Sequence, residues 1–148
     1  MKYNRGFTIL ELMVVISIIA ILVGILIPRF KGMQQEANIV KAKAELKTLQ
    51  TAIESWYIHQ NPNSYPASSV SPSEDYFITA SPSIVSNILY DPLAPAGTEY
   101  TLEVSPLGAY YVIWSVGLDG ISEITGIGDD GLITGSVGDD IYVTNGKS

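Results

Sequence analysis

Carboxylates are the groups in this chain best placed to do chemistry, and they occur in two settings. The first is Glu11, which follows FTIL at the start of an apolar run whose continuation, LMVVISIIAILVGILI, holds no charge and only Ser17 as a polar side chain. A charge inside hydrocarbon is expensive and usually marks a pairing partner or a pathway. A glutamate in the first turn of a helix is also favoured by the helix dipole, and position alone leaves both roles open. The second setting is the C-terminal stretch, where Gly–Asp turns at 117–120, 128–131 and 138–140 repeat about every ten residues. Carboxylates on tight glycine turns, with a few backbone carbonyls, can supply the ~6–8 hard oxygens that calcium takes. The same aspartates could equally form Asx and hairpin turns with no ion.

Other patterns carry less. Gly126-x-Gly128-x-x-Gly131 satisfies a dinucleotide fingerprint in form, but Asp129 and Asp130 would repel a pyrophosphate and LITG opens no helix. Gly135-Ser136-Val137-Gly138 is one residue short of a nucleophile elbow. His59 is the only histidine and there is no cysteine, so no metal or nucleophile set forms around it, and it suits a helix end. No catalytic constellation emerges, and the chain is not expected to be an enzyme.

Charge is segregated along the 148 residues. Seven of the eight Lys and Arg lie at or before residue 47, whereas 61–148 holds eleven acids against Lys147 alone. An acidic surface of that kind disfavours nucleic acid and anionic membranes as partners and leaves a divalent cation as a suitable one. With no cysteine, stability must come from core packing, metal or assembly rather than disulfides.

These groups need elements to hold them. The apolar segment is close to the ~20 residues that span hydrocarbon as a helix. A cleaved secretory signal fits poorly, because the core exceeds ~7–15 residues and no small-x-small site follows it, only Pro28, Arg29, Phe30 and Lys31. The segment is therefore expected to be retained, with Lys2 and Arg5 keeping a short N-terminus in the cytoplasm and the rest outside. One long helix is predicted from Phe7 to about His59, weakest between Gly24 and Pro28, since the proline removes the hydrogen bond to the Gly24 carbonyl. Its second half places Phe30, Met33, Ala37, Val40 and Ala44, then Leu46, Leu49, Ile53, Trp56 and Tyr57, on a stripe expected to pack on the following domain. Lys41, Lys43, Glu45 and Lys47 are expected to be solvated. A Ser- and Pro-rich loop follows at 61–75, with a short helix near Ser83–Leu89. Glu99–Val104 and Ala109–Val116 read as strands joined by SPLG, and the Gly–Asp turns as a short β-meander.

The N-terminal residues carry a resemblance. Gly6-Phe7-Thr8-Ile9-Leu10-Glu11, after a short basic leader and before an unbroken apolar helix, resembles the class III signal of type IV pilins and type II secretion pseudopilins, and Pro28 falls where that family carries a helix-bending proline. Asn63-Ser64-Tyr65-Pro66, Tyr90-Asp91-Pro92, Tyr100, the run Ala109 to Gly120 and Gly138-Asp139-Asp140-Ile141 are similar to the later motifs of the family's major pseudopilin. The resemblance implies an α+β pilin-like fold: a cleaved leader at 1–6, a transmembrane and filament-core helix at 7–28, an amphipathic helix at 29–60, and a periplasmic loop and antiparallel β region at 61–148. It implies that a prepilin peptidase cuts between Gly6 and Phe7 and methylates the new amine, and that Glu11 pairs with the Phe7 amine of a neighbour. It also implies a calcium ion ordering the C-terminal loop, where pilins often use a disulfide. Asp119, with a backbone carbonyl near Val116, matches the family loop best; Asp129, Asp130, Asp139 and Asp140 are further candidates, and the insert Ile121–Val137 departs from the family's short loop.

The expectation is a structural subunit of a homopolymeric filament in a type II secretion system. It would wait in the inner membrane with its head in the periplasm, and work with a platform protein, minor pseudopilins and a cytoplasmic ATPase. A type IV pilus subunit for adhesion, motility or DNA uptake shares the leader. A membrane-anchored periplasmic binding domain is the alternative of another class, and it alone predicts that Glu11 is dispensable.

Overall fold

The computed structural model describes residues 6–147; the basic leader residues Lys2 and Arg5 lie outside them. The chain divides into two compact units at Glu36 and Ala37, beyond the expected boundary at Pro28. One helix, α1 (Ile9–His59), contributes to both.

In the first unit α1 is long and apolar enough to cross a membrane, and every side chain from Phe7 to Ile27 is exposed. Its one neutral polar group inside the apolar run is satisfied locally: the Ser17 hydroxyl donates to the Met13 carbonyl at 2.7 Å, the i−4 bond that lets serine sit in a helix without an orphan donor. Helical structure continues through Gly24 and Pro28. The helix begins at Ile9 rather than Phe7.

In the second unit the buried stripe of α1 is Ala42, Leu46, Leu49 and Ile53, all fully buried. This corrects the expected stripe at its N-terminal end. Ala37, Val40 and Ala44 are exposed, as are Phe30 and Met33 in the first unit. At about 100° per residue, Val40 and Ala44 point half a turn away from Leu46 and Leu49. The sequence thus carries two apolar stripes, and periodicity cannot tell which one has a partner within the chain.

The sheet is antiparallel, in the order β1 (Thr101–Val104), β2 (Tyr111–Ser115), β5 (Ile141–Thr144). The hairpin predicted around SPLG forms, with Thr101 opposite Trp114 and Val104 opposite Tyr111. The expected meander does not. β3 (Ile124–Ile127) and β4 (Ile133–Gly135) make a separate two-stranded hairpin, while β5 returns to pair with β2, Val112 opposite Thr144 and Ser115 opposite Ile141. Every residue of β2 is buried because its alternating faces feed two cores. Tyr111 and Ile113 join Leu46, Leu49, Ile53, Phe77 and Leu102, and Val112 and Trp114 join Ile124 and Ile127 of the hairpin.

No helix forms at Ser83–Leu89. The Ile84 and Val85 N–H groups instead donate to the Phe77 carbonyl at 2.8 and 3.3 Å, folding that segment against a π-helical turn at Ser73–Phe77. Buried tyrosines pin the sheet to α1: Tyr100 donates to Glu45 at 2.7 Å and Tyr111 to Glu54 at 2.8 Å. Burial first, then the adjoining carboxylate, pushes both phenols above their ordinary range. Glu45, expected on the solvated face, is thus a structural acceptor, and it also pairs with Lys41 at 3.7 Å.

Glu99 is buried and accepts from the Ser73 N–H at 3.0 Å. Desolvation raises its pKa above the ordinary 4.5 against the opposing effect of that hydrogen bond. A raised native pKa means that the folded state holds the proton more tightly than the unfolded one, so stability falls as pH rises from the unfolded value through the native one. Glu99→Gln keeps an acceptor and removes this ionisation cost. Its Tm is therefore expected to exceed the parent's at about pH 7 and to lose that advantage at about pH 4, as read by circular dichroism.

Candidate functional site

The first site is the start of α1. Thr8 precedes the first helical residue, and Glu11 lies three residues on. The Thr8 N–H donates to Glu11 Oε2 at 3.0 Å, the Thr8 hydroxyl donates to the same oxygen at 2.9 Å, and the Glu11 N–H donates to Thr8 Oγ1 at 3.2 Å. This is a reciprocal capping box, in which side chains satisfy backbone donors that the helix cannot. Glu11 therefore has a local partner in addition to the two roles weighed from the sequence. The TILE spacing, Thr-x-x-Glu, was the available signal for it. Phe7 is 83% exposed, and among the described residues no atom lies within 4 Å of a Cβ built at Gly6.

The second site lies in the head. Asp139 and Asp140, at the turn before β5, meet Glu123, which leads into β3, and one carboxylate oxygen from each lies within 4.8 Å of the others. Close approach depends on glycine. A Cβ at Gly138, whose φ is +50°, would land on Glu123 Oε2, and one at Gly117, φ +70°, would come 2.6 Å from Asp139 Oδ1. Asp139 Oδ2 accepts from the Leu118 and Asp119 N–H groups at 2.7 and 3.3 Å. Asp140 Oδ2 accepts from the Glu123 and Ile124 N–H groups at 2.8 and 2.9 Å. Asp140 is 6% exposed, and its other oxygen, Oδ1, is buried without a hydrogen-bond partner. A buried carboxylate oxygen with no donor, beside two further carboxylates, is the arrangement a hard divalent cation would complete. These three side chains are hard oxygen donors of the class that calcium takes.

The five aspartates expected from the sequence do not converge. Asp139 and Asp140 stand in the cluster. Asp119 lies on the adjoining loop, with its N–H on Asp139 and its own Oδ1 accepting from Ile121 at 2.8 Å. Asp129 and Asp130 are at a different turn, where Asp129 Oδ1 accepts from the Leu107 N–H at 2.8 Å and Asp130 Oδ1 from the Leu132 N–H at 3.0 Å. The Asp130 bond makes a local turn of the kind aspartates favour, the Asp129 bond ties that turn to the β1–β2 loop, and both hold these carboxylates at another place. Val116 directly follows β2 with its N–H on Asp91 Oδ2 at 3.2 Å. Sequence reasoning missed Glu123, which lies in the insert with no glycine turn of its own. Asp91, named from the sequence only as part of Tyr90-Asp91-Pro92, is a buried carboxylate that accepts from Ser115, Val116 and Leu93 and so fixes where the loop leaves the sheet.

Residues 1–27 match the family described as the prokaryotic N-terminal methylation motif. The chain is 48% identical over 54 residues to the type IV major pilin protein PilA of Myxococcus xanthus, a match covering 36% of this chain and 24% of that protein. It thus spans only a quarter of that pilin's length, and 36% of that of a fimbrial protein of Pseudomonas aeruginosa, to which it is 42% identical. Lower identity extends much further in another relative: 27% over 135 residues to the type II secretion system core protein G of Escherichia coli, 86% of this chain and 83% of that one. The corresponding protein of Klebsiella pneumoniae is 28% identical over 89% of each chain. No solved structure matches.

Proposed function

We propose that the protein, whose residues 1–27 match the prokaryotic N-terminal methylation motif, is a type IV pilin-like, non-catalytic structural subunit of a pilus-like filament, the major pseudopilin of a type II secretion system. The observation that carries this reading is the reach of the likeness to core protein G, which covers 86% of the chain, whereas the likeness to PilA covers 36%. The structure supports it physically. Every α1 side chain from Ile9 to Ile27 is exposed and, apart from Glu11 and Ser17, apolar, a surface suited to lipid or to the same helices of other copies.

In this reading a prepilin peptidase cleaves after Gly6 and methylates the Phe7 amine. The subunit waits as a single-pass protein of the inner membrane with its acidic head in the periplasm. Glu11 pairs with the Phe7 amine of a neighbour as the subunit leaves the bilayer, and a platform protein, an ATPase and minor pseudopilins work with the growing filament to export folded proteins. Glu123, Asp139 and Asp140 would hold a calcium ion, which neutralises their mutual repulsion and ties the turn before β5 to the approach to β3. The high identity to pilins over a short stretch favours a second reading, a type IV pilus subunit.

Gly6→Lys tests the class. It is expected to leave an uncleaved chain by intact mass and no filaments by electron microscopy, while an anchored binding domain would keep its function. Deleting the gene separates the two filaments. Exported proteins should accumulate in the periplasm; normal export with loss of surface pili would give the protein to the pilus.

A further inference from the structure

The outer face of α1 within the head unit is an unpartnered surface with a definite charge. Val40 is 66% exposed, half a turn from the buried stripe, and Lys43 and Lys47 lie within about 60° of it around the helix. Both lysines are exposed. Lys47 donates to Gln50 at 2.7 Å, and the only salt bridge among the described residues is Lys41–Glu45. The face is thus apolar at its centre and cationic at its edge.

The other end of the same unit has the opposite pattern. The turn between β1 and β2 presents Leu107 at 82% exposure, and the bond from its N–H to Asp129 clips the exposed Asp129–Asp130 turn beside it. This tip is apolar at its centre and anionic at its edge. The two patches cannot meet within one chain. Asn38, near Val40, donates to the Pro92 carbonyl at 3.3 Å. Tyr111, at the foot of the Leu107 turn, reaches Glu54, and the fourteen helical steps from Val40 to Glu54 cover about 21 Å along the axis.

We propose that the Leu107–Asp129–Asp130 tip of one subunit seats on the Val40–Lys43–Lys47 face of a second copy. The proposal rests on the filament reading and adds the contact that would propagate it. A tip on one copy meeting a face on the next is a heterologous interface, which extends into an open helical polymer rather than closing a dimer. It also assigns a use to Asp129 and Asp130, which stand apart from the acidic cluster. Their carboxylates meet lysines that form no salt bridge among the described residues, and complementary rims of this kind fix register and orientation more than affinity.

The absence of native cysteine makes the test direct. Filaments of full-length Val40→Cys/Leu107→Cys protein, once oxidised, should give a ladder of covalent multimers on denaturing gels. Each single variant should stay monomeric. Dimers from Val40→Cys alone would mark a symmetric contact and overturn the proposal, as would filaments with no ladder. Independently, Lys43→Glu/Lys47→Glu should abolish filaments while the monomer keeps its Tm, with Asp130→Lys restoring them; filaments unaffected by the reversal would overturn the proposal as well. If the unaltered chain forms no filaments, the filament reading fails and this interface fails with it.

Discussion

Glu11→Leu is expected to give a processed, membrane-inserted subunit with an intact head and no filaments, a drop of roughly 100-fold or more in polymer mass by sedimentation. The carboxylate has two tasks in the proposed function, and they can be separated. In the isolated subunit it completes the capping box with Thr8. In the filament it would neutralise the Phe7 amine of a neighbour in a low-dielectric core, where an unpaired charge is costly. Glutamine serves a capping box as well as glutamate does. Glu11→Gln therefore preserves the helix start and removes only the charge, and it is expected to be as assembly-defective as Glu11→Leu. If Glu11→Gln polymerises normally, Glu11 is a capping residue and the charge-pairing role is wrong. The capping box also bears on the order of events, because the same oxygen, Oε2, that serves Thr8 would have to be shared when the neighbour's amine arrives.

What the sequence disclosed and what it hid divide along a physical line. Features set by nearest neighbours were legible: the apolar helix, the SPLG hairpin and the acidic turns. Features that depend on which distant segment arrives were not. Two stripes on α1 have equal periodicity, and only the sheet decides that Leu46 and Leu49 are buried while Val40 is exposed. β5 passes over its neighbour β4 to pair with β2, because the second face of β2 needs the Ile124–Ile127 hairpin against it. The acidic site follows the same rule. Asp139 and Asp140 were visible as a glycine turn, but Glu123 enters only because the hairpin carries the insert back across sixteen residues of chain to the Asp139 N–H. Asp129 and Asp130, the same dipeptide in the same kind of turn, arrive elsewhere.

Asp140 carries the other large effect, on stability and on the response to calcium. Its Oδ2 holds the Glu123 and Ile124 N–H groups, and removing a buried acceptor strands both donors at about 1–3 kcal/mol each. Asp140→Ala should therefore cost roughly 2–6 kcal/mol, a large share of the 5–15 kcal/mol that holds a typical domain together. That loss alone would not distinguish a structural aspartate from a ligand. Asp140→Asn does, since its amide oxygen can still accept from both N–H groups while its NH₂ replaces the unpartnered Oδ1. The variant should fold without calcium at least as well as the parent, having one fewer charge beside Glu123 and Asp139. In the detergent-solubilised full chain, calcium at about 100 times its Kd should stabilise the parent by ~2.7 kcal/mol, about 10 °C in Tm, and a chelator should reverse the shift. Asp140→Asn should show almost none of it. A parent indifferent to calcium would end the metal proposal. An Asp140→Asn protein that responds as fully as the parent would place the ion away from this cluster, because Asp140 Oδ1 is the buried oxygen that no protein donor satisfies.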